Sequence, residues 1–376
     1  MNTCKLTDMC CIQYGYAFDS ASFTEDATFP PLVRIRDVKR GFSETYYSGN
    51  YAEEYIVRRG DILIGMDGEF NIARWQSEDA LLNQRVCKII PKQQVDASYI
   101  LFALTKILKK IEDRTAFVTV KHLSAKELNK IELRLPNYKK QVLISSTLEK
   151  ALRIINHRRT QLAKLDELIK CRFVELFGDQ KMNPYGWPQT TVGNCCILKS
   201  GTSLPADKEN EGGTIPYVKV SDMNYPGNEH YITTSSRFVT EQTAGVGVFP
   251  VGTVIFPKRG GAIGTNKKRL TKLPICADLN VMGVIAGSNL ASQYLMAYFD
   301  MIDLGALDNG SSVPQINNKD IAPLPICTPP IELQEQFAAF VEKADKFKFA
   351  CFFFQLITVL QKIIIFFRNF LICFLF

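Results

Sequence analysis

With 376 residues the chain is long enough for two ordinary domains, each able to bury its own core. Its 46% hydrophobic and 22% charged residues are those of a soluble globular protein, and a net charge of +7 is compatible with a polyanionic partner without demanding one. The eleven cysteines stand singly or as the adjacent pairs Cys10-Cys11 and Cys195-Cys196. With no CxxC pair and no Cys/His metal spacing, they read as reduced, mostly buried thiols of a cytoplasmic protein. The opening MNTCKLTDMCCIQYGY has no basic segment followed by an apolar one, so no signal peptide is expected.

In chain order, the first 136 residues are strand-like. Short β-branched runs (LVRIRDV, GDILIG, VCKII) are punctuated by glycine, proline and asparagine. After Pro136 the pattern changes. Ile144, Leu148, Leu152, Ile155, Leu162, Leu165, Ile169, Phe173 and Leu176 fall at helical spacing, with Lys150, Arg153, Arg158, Arg159 and Lys164 on other faces. This predicts a spacer helix over 137–179, roughly 60 Å long, ended by Gly178 and Asp179. NPYGWP then closes a linker over 180–188, and strand-like runs resume in YVKV and GTVIFP.

The second half repeats the first. Leu123–Pro136 aligns with Ile316–Pro329, and, without a gap, Gln141–Ala151 aligns with Gln334–Ala344. Upstream, LVRIRDV matches YVKVSDM, GDILI matches GTVIF, and YILFAL matches YLMAYF, all in the same order. The chain is therefore a tandem duplication of a globular part and a helix. The expected fold class is α+β: two mostly-β globular domains over 1–136 and 189–329, each followed by a long helix, with the helices paired as an antiparallel coiled-coil spacer. Two copies held apart by a rod suit an extended ligand.

These features resemble the DNA specificity subunit of type I restriction–modification systems, over residues 1 to about 346. The resemblance rests on GDILIGMDGEFNIARW with LNQRVCKIIP, on GTVIFPKRGGAIGTNKKR with ADLNVMGVI, on QINNKDIAPLPICTPPIELQEQ, and on the linker LFGDQKMNPYGWP. It implies a non-catalytic subunit whose globular parts are target recognition domains, each reading half of a split site on double-stranded DNA. It also implies docking of two DNA adenine methyltransferase subunits, joined by restriction/translocase subunits. No cofactor is then expected on this chain; S-adenosylmethionine, and ATP with Mg for restriction, belong to the partners. Leu148, Leu152, Ile155, Leu162, Leu165 and Ile169 are the expected subunit interface.

Candidate DNA contacts are basic and amide side chains where strand ends meet loops. In the first copy these are Arg34, Arg36, Lys39, Arg40, Arg74, Asn83, Gln84 and Arg85. In the second they are Lys219, Lys258, Arg259, Lys267, Lys268, Arg269 and Asn280. Lysine and arginine neutralise phosphates; base discrimination needs forked donors and acceptors, arginine toward guanine and amides toward adenine. The glycine-rich loop Pro257–Arg269 (PKRGGAIGTNKKR) concentrates positive charge and lacks the GxxxxGK[ST] of a nucleotide-binding loop.

Enzymatic alternatives find little support. Asn183-Pro184-Tyr185 lacks one proline of the adenine methyltransferase stretch and sits in the linker, and His122, His157 and His230 have no partners at metal spacing. The end of the chain is unlike anything before it. Residues 330–376 should form the second spacer helix, yet the sequence is aberrantly apolar from about 347, and ten of the 25 phenylalanines lie from Phe347 onward. Its Phe, Ile, Leu, Lys and Asn are residues of AT-rich codons, so a shifted reading frame, leaving an inactive specificity subunit, is the expected origin. A membrane-anchored binding protein and a partner-facing helix are the alternatives. Lys362 and Arg368 interrupt a span of the required length.

Overall fold

The computed structural model describes residues 3–114, 121–307 and 313–349, which fall into two compact units parting between Ile155 and Asn156. The expectations placed on the tail beyond residue 349 lie outside the described residues.

The first unit is built on a four-stranded antiparallel sheet in the order Cys10–Tyr14, Val86–Pro91, Ile62–Gly65, Ile72–Arg74. Beside it Leu32–Val33 runs parallel to Ala80–Leu82, which also pairs with Ile56–Val57. The strand-like reading did not separate out a helix, Ala97–Arg114. Ile100, Leu104 and Leu108, one turn apart, are fully buried and pack with Ile62, Ile64 and Leu123. The globular part is thus mixed α+β.

The second unit repeats the plan. Its five-stranded sheet runs Cys196–Ser200, Val281–Ala286, Val254–Pro257, Arg269–Thr271, Tyr231–Ile232. Ile215–Val218 again lies parallel to Cys276–Ala277, and a helix, Ser292–Asp300, again covers the sheet. The duplication extends to single side chains. The aligned glutamines Gln141 and Gln334 are both buried and make the same bonds. Each carbonyl accepts from the backbone N–H just ahead of the preceding helix (Asp96 and Ala291, both 2.9 Å), and each amide donates to a proline carbonyl (Pro136 and Pro329, both 2.8 Å).

Tyr138–Phe177 is one helix of 40 residues that crosses the boundary between the units. Asn137 caps its start, its Oδ1 accepting from the Lys140 N–H. Gly178, at φ +74°, stops it in the left-handed conformation. Within the second unit its last turns meet the helical residues 331–349. Phe337 lies 5.5 Å from Phe173 and 5.6 Å from Phe177, ring centre to ring centre, while Lys348 reaches Asp166 at 2.7 Å. Residue numbers rise along one helix as they fall along the other, so the pair is antiparallel.

Burial pushes the Cys10 and Cys87 thiols up to about 12 from an ordinary 9.0. Because the folded state holds these protons more tightly, the stability they contribute is intact below pH 9 and is lost as pH rises toward 12. An alkylating reagent at about pH 8 is therefore expected to label the exposed Cys11 and Cys171 long before Cys10 or Cys87, as read by peptide mass spectrometry. Equal rates at all four would contradict this burial.

Candidate nucleic-acid interface

Both units present the same loop frame at the ends of their central strands. Val33 pairs in parallel with Leu82, and Val218 with Ala277, so Arg34 emerges beside Asn83 and Lys219 beside Asp278. A buried aspartate fixes each emerging turn. Asp37 accepts from the Arg34 N–H at 2.9 Å, and Asp222 from the Lys219 N–H at 2.8 Å. Under each turn a glycine touches the neighbouring backbone. A Cβ on Gly15 would stand 2.0 Å from the Asn83 carbonyl oxygen, and one on Gly201 2.1 Å from that of Asp278. Only glycine fits there.

A second crossing follows. The Met66 N–H donates to Arg85 O and the Leu123 N–H to Met66 O; the Lys258 N–H donates to Asn280 O and the Ile316 N–H to Lys258 O. These bonds set Asp67, Arg85 and His122 side by side in the first unit, and Arg259, Asn280 and Gln315 in the second. Gly68 and Gly260, at φ +71° and +75°, turn the chain away immediately afterwards, with open space beside both.

Of the residues expected to touch DNA, Arg34, Arg36, Asn83, Gln84 and Arg85 line one cavity of 470 Å³ together with Phe18 and Phe23. Lys39 and Arg40 lie outside that lining. Lys39 is 3.7 Å from Glu69, and Arg40 bonds Glu44 at 2.8 Å and covers the Phe42 ring. In the second unit Arg259 is exposed, and Lys258 donates to Ser200 Oγ at 2.8 Å. Burial first, and the neighbouring Arg259 second, lower the affinity of Lys258 for its proton. Lys219 is held by Glu209 at 2.6 Å, Lys267 bonds Asn224, and the Asn280 amide donates to Asp278 Oδ1 at 2.6 Å.

Three expectations are corrected. Arg74 is turned inward, its two amino groups bonding Gly60 O and Ser98 Oγ, each at 2.9 Å. Lys268 is 4% exposed and donates to Ile302 O at 2.6 Å and Asn266 Oδ1 at 2.8 Å; burial brings its pKa down to about 8. It points to the same side as the core residue Leu270, two positions on, as strand alternation dictates. Arg269 donates to the carbonyls of Asn228, Lys268 and Met223, so its whole fork is used within the fold. The basic end of the Pro257–Arg269 loop is thus structural, and Lys258-Arg259 is its outward part.

Sequence reasoning passed over Asp67, His122 and Gln315. The signal was present. Asp67-Gly68 and Arg259-Gly260 follow the aligned strands, and His122 and Gln315 directly precede the aligned blocks that open at Leu123 and Ile316. On the long helix, Leu148 and Leu152 are exposed and Ile155, Leu162 and Leu165 half-buried. Ile169 packs on the second unit's own core, which corrects its assignment to a surface for another subunit.

Residues 1–166 and 184–351 each match the model of the type I restriction modification DNA specificity domain. The chain belongs to that family. Among curated relatives of this specificity subunit, the type I restriction enzyme EcoBI specificity subunit of Escherichia coli is 34% identical over 242 residues, 57% of this chain. That alignment spans half the length of the relative. The MjaIX specificity subunit of Methanocaldococcus jannaschii is 22% identical over 76% of this chain and 71% of its own. The fold matches the crystal structure of a type I restriction-modification S subunit from M. genitalium, with a TM-score of 0.57 at 14% identity, over 96% of this chain and 95% of that one. A structure described as the basis of complex assembly and conformational transition of the type I R-M system gives 0.53 at 16% identity, over 96% and 94%. Among the described residues no helix is long and apolar enough to cross a membrane, and no group of three or more His, Cys, Asp or Glu could hold a metal ion.

Proposed function

We propose that this specificity subunit is a non-catalytic, cytoplasmic reader of a bipartite DNA sequence. Each unit reads one half-site. Partner subunits carry the chemistry: adenine methylation with S-adenosylmethionine, and restriction with ATP and Mg. The observation that carries this reading is the pairing of two DNA specificity domains with two copies of one loop frame, each ending in exposed hydrogen-bonding side chains.

The test is selection from randomised duplexes at two salt concentrations. A split motif with a fixed gap is expected, and log affinity should fall with log salt by about 0.9 for each phosphate contacted. Selection of one contiguous site, or of none, would overturn the reading.

A further inference from the structure

The crossing of three backbone segments in each unit places together three side chains that are distant in sequence. In the first unit Asp67 lies between two donors. Its Oδ1 is 2.5 Å from His122 Nδ1, and its Oδ2 is 3.4 Å from Arg85 Nε. The carboxylate is the least exposed of the three: its side chain is 21% accessible, against 53% for Arg85 and 46% for His122. An acid lying outermost on a DNA-facing surface would repel phosphates. Set behind two donors, it instead orients them.

The chemistry left facing outward is specific. Arg85 is held through Nε, which leaves its two terminal amino groups as a parallel fork. His122, donating from Nδ1 to the carboxylate, is fixed in the tautomer whose Nε2 accepts. In the major groove guanine shows two acceptors, N7 and O6, and its partner cytosine shows an N4 donor. Two donors beside one acceptor are the complement of a G·C pair. In the second unit the same backbone positions carry Arg259, Asn280 and Gln315, with Asn280 tied by Asp278.

From this arrangement we infer that Asp67, Arg85 and His122 read a G·C pair in the first half-site, with Asp67 as the positioning residue. Arg259, Asn280 and Gln315 are the equivalent readers of the second half-site. This inference rests on the proposed function and deepens it by naming the base pair and the residues.

The experiment compares motifs selected from randomised duplexes by the full chain assembled with methyltransferase subunits, as wild type and as Asp67→Asn, Arg85→Lys and Arg259→Lys. Arg85→Lys keeps the charge that attracts phosphate and removes the fork. Asp67→Asn and Arg85→Lys should each lower the preference for G·C at one position of one half-site by about ten-fold or more, leaving the other half-site unchanged. Arg259→Lys should do the reverse. The untouched half-site in the same molecule controls for folding and for overall affinity. If wild type selects a split motif and Asp67→Asn and Arg85→Lys select the identical motif, the inference is wrong. Equal weakening of both half-sites by Asp67→Asn would make Asp67 merely structural and overturn its positioning role. If wild type selects no split motif, it is the proposed function that fails.

Discussion

Phe337→Ala is expected to destabilise the second unit by about 3–5 kcal/mol. Phe337 is fully buried and meets Phe173 and Phe177 edge-on, while both of those rings pack on Tyr294 at 5.3 and 4.8 Å. The lost ring leaves a cavity that three large aromatic neighbours cannot close by small shifts. What then keeps residues 331–349 on the long helix is Val341, Ala344 and the Lys348–Asp166 pair. An ion pair with Asp166 40% exposed contributes little by comparison. Denaturant unfolding should show the loss, and limited proteolysis should cut first within residues 331–349. A loss below about 1 kcal/mol would mean that this aromatic contact does not hold the helix pair.

Gly201→Ala is the second large effect. The added methyl would overlap the Asp278 carbonyl oxygen and also lie 2.4 Å from that of Ala277, both backbone atoms that no rotamer change can move. Overpacking against backbone is expected to cost about 3 kcal/mol or more. The damage should be local, separating Cys196–Ser200 from the turn that presents Asp278 and Asn280. Hydrogen exchange should rise at the Thr202 and Gly201 amides, which bond Ala277 O and Val281 O, while the first unit keeps its protection. Gly15→Ala should mirror the effect in the first unit. Unchanged protection in either variant would show that the close approach is not required.

What the sequence disclosed follows from what it encodes locally. The stripe from Ile144 to Leu176 is long and periodic, so the helix Tyr138–Phe177 is readable within one or two residues at each end. The internal repeat gave the tandem plan because aligned blocks need no knowledge of contacts. Ala97–Arg114 was hidden because its apolar residues form a short dense run, which periodicity assigns to strand or helix equally well. Lys268 and Arg269 were misplaced because side-chain charge says nothing about direction; that depends on the strand phase of Leu270 and on where the Ile302 and Asn228 carbonyls lie. Asp67 escaped notice because an acid is unwelcome on a DNA-facing surface until its two donor partners are seen, and His122 is 55 positions away in the chain.

The loop frame has a further consequence for sequence tolerance. Its shape is set by main-chain bonds (Met66 to Arg85, Leu123 to Met66, Lys258 to Asn280, Ile316 to Lys258) and by two glycines, so almost none of it depends on the outward side chains. A combinatorial library at positions 67, 85 and 122 is therefore expected to yield mostly folded proteins, because substitutions there leave core volume and backbone pairing intact. Folding and address are written in different atoms of the same residues, which lets one scaffold acquire a new specificity without first losing its stability.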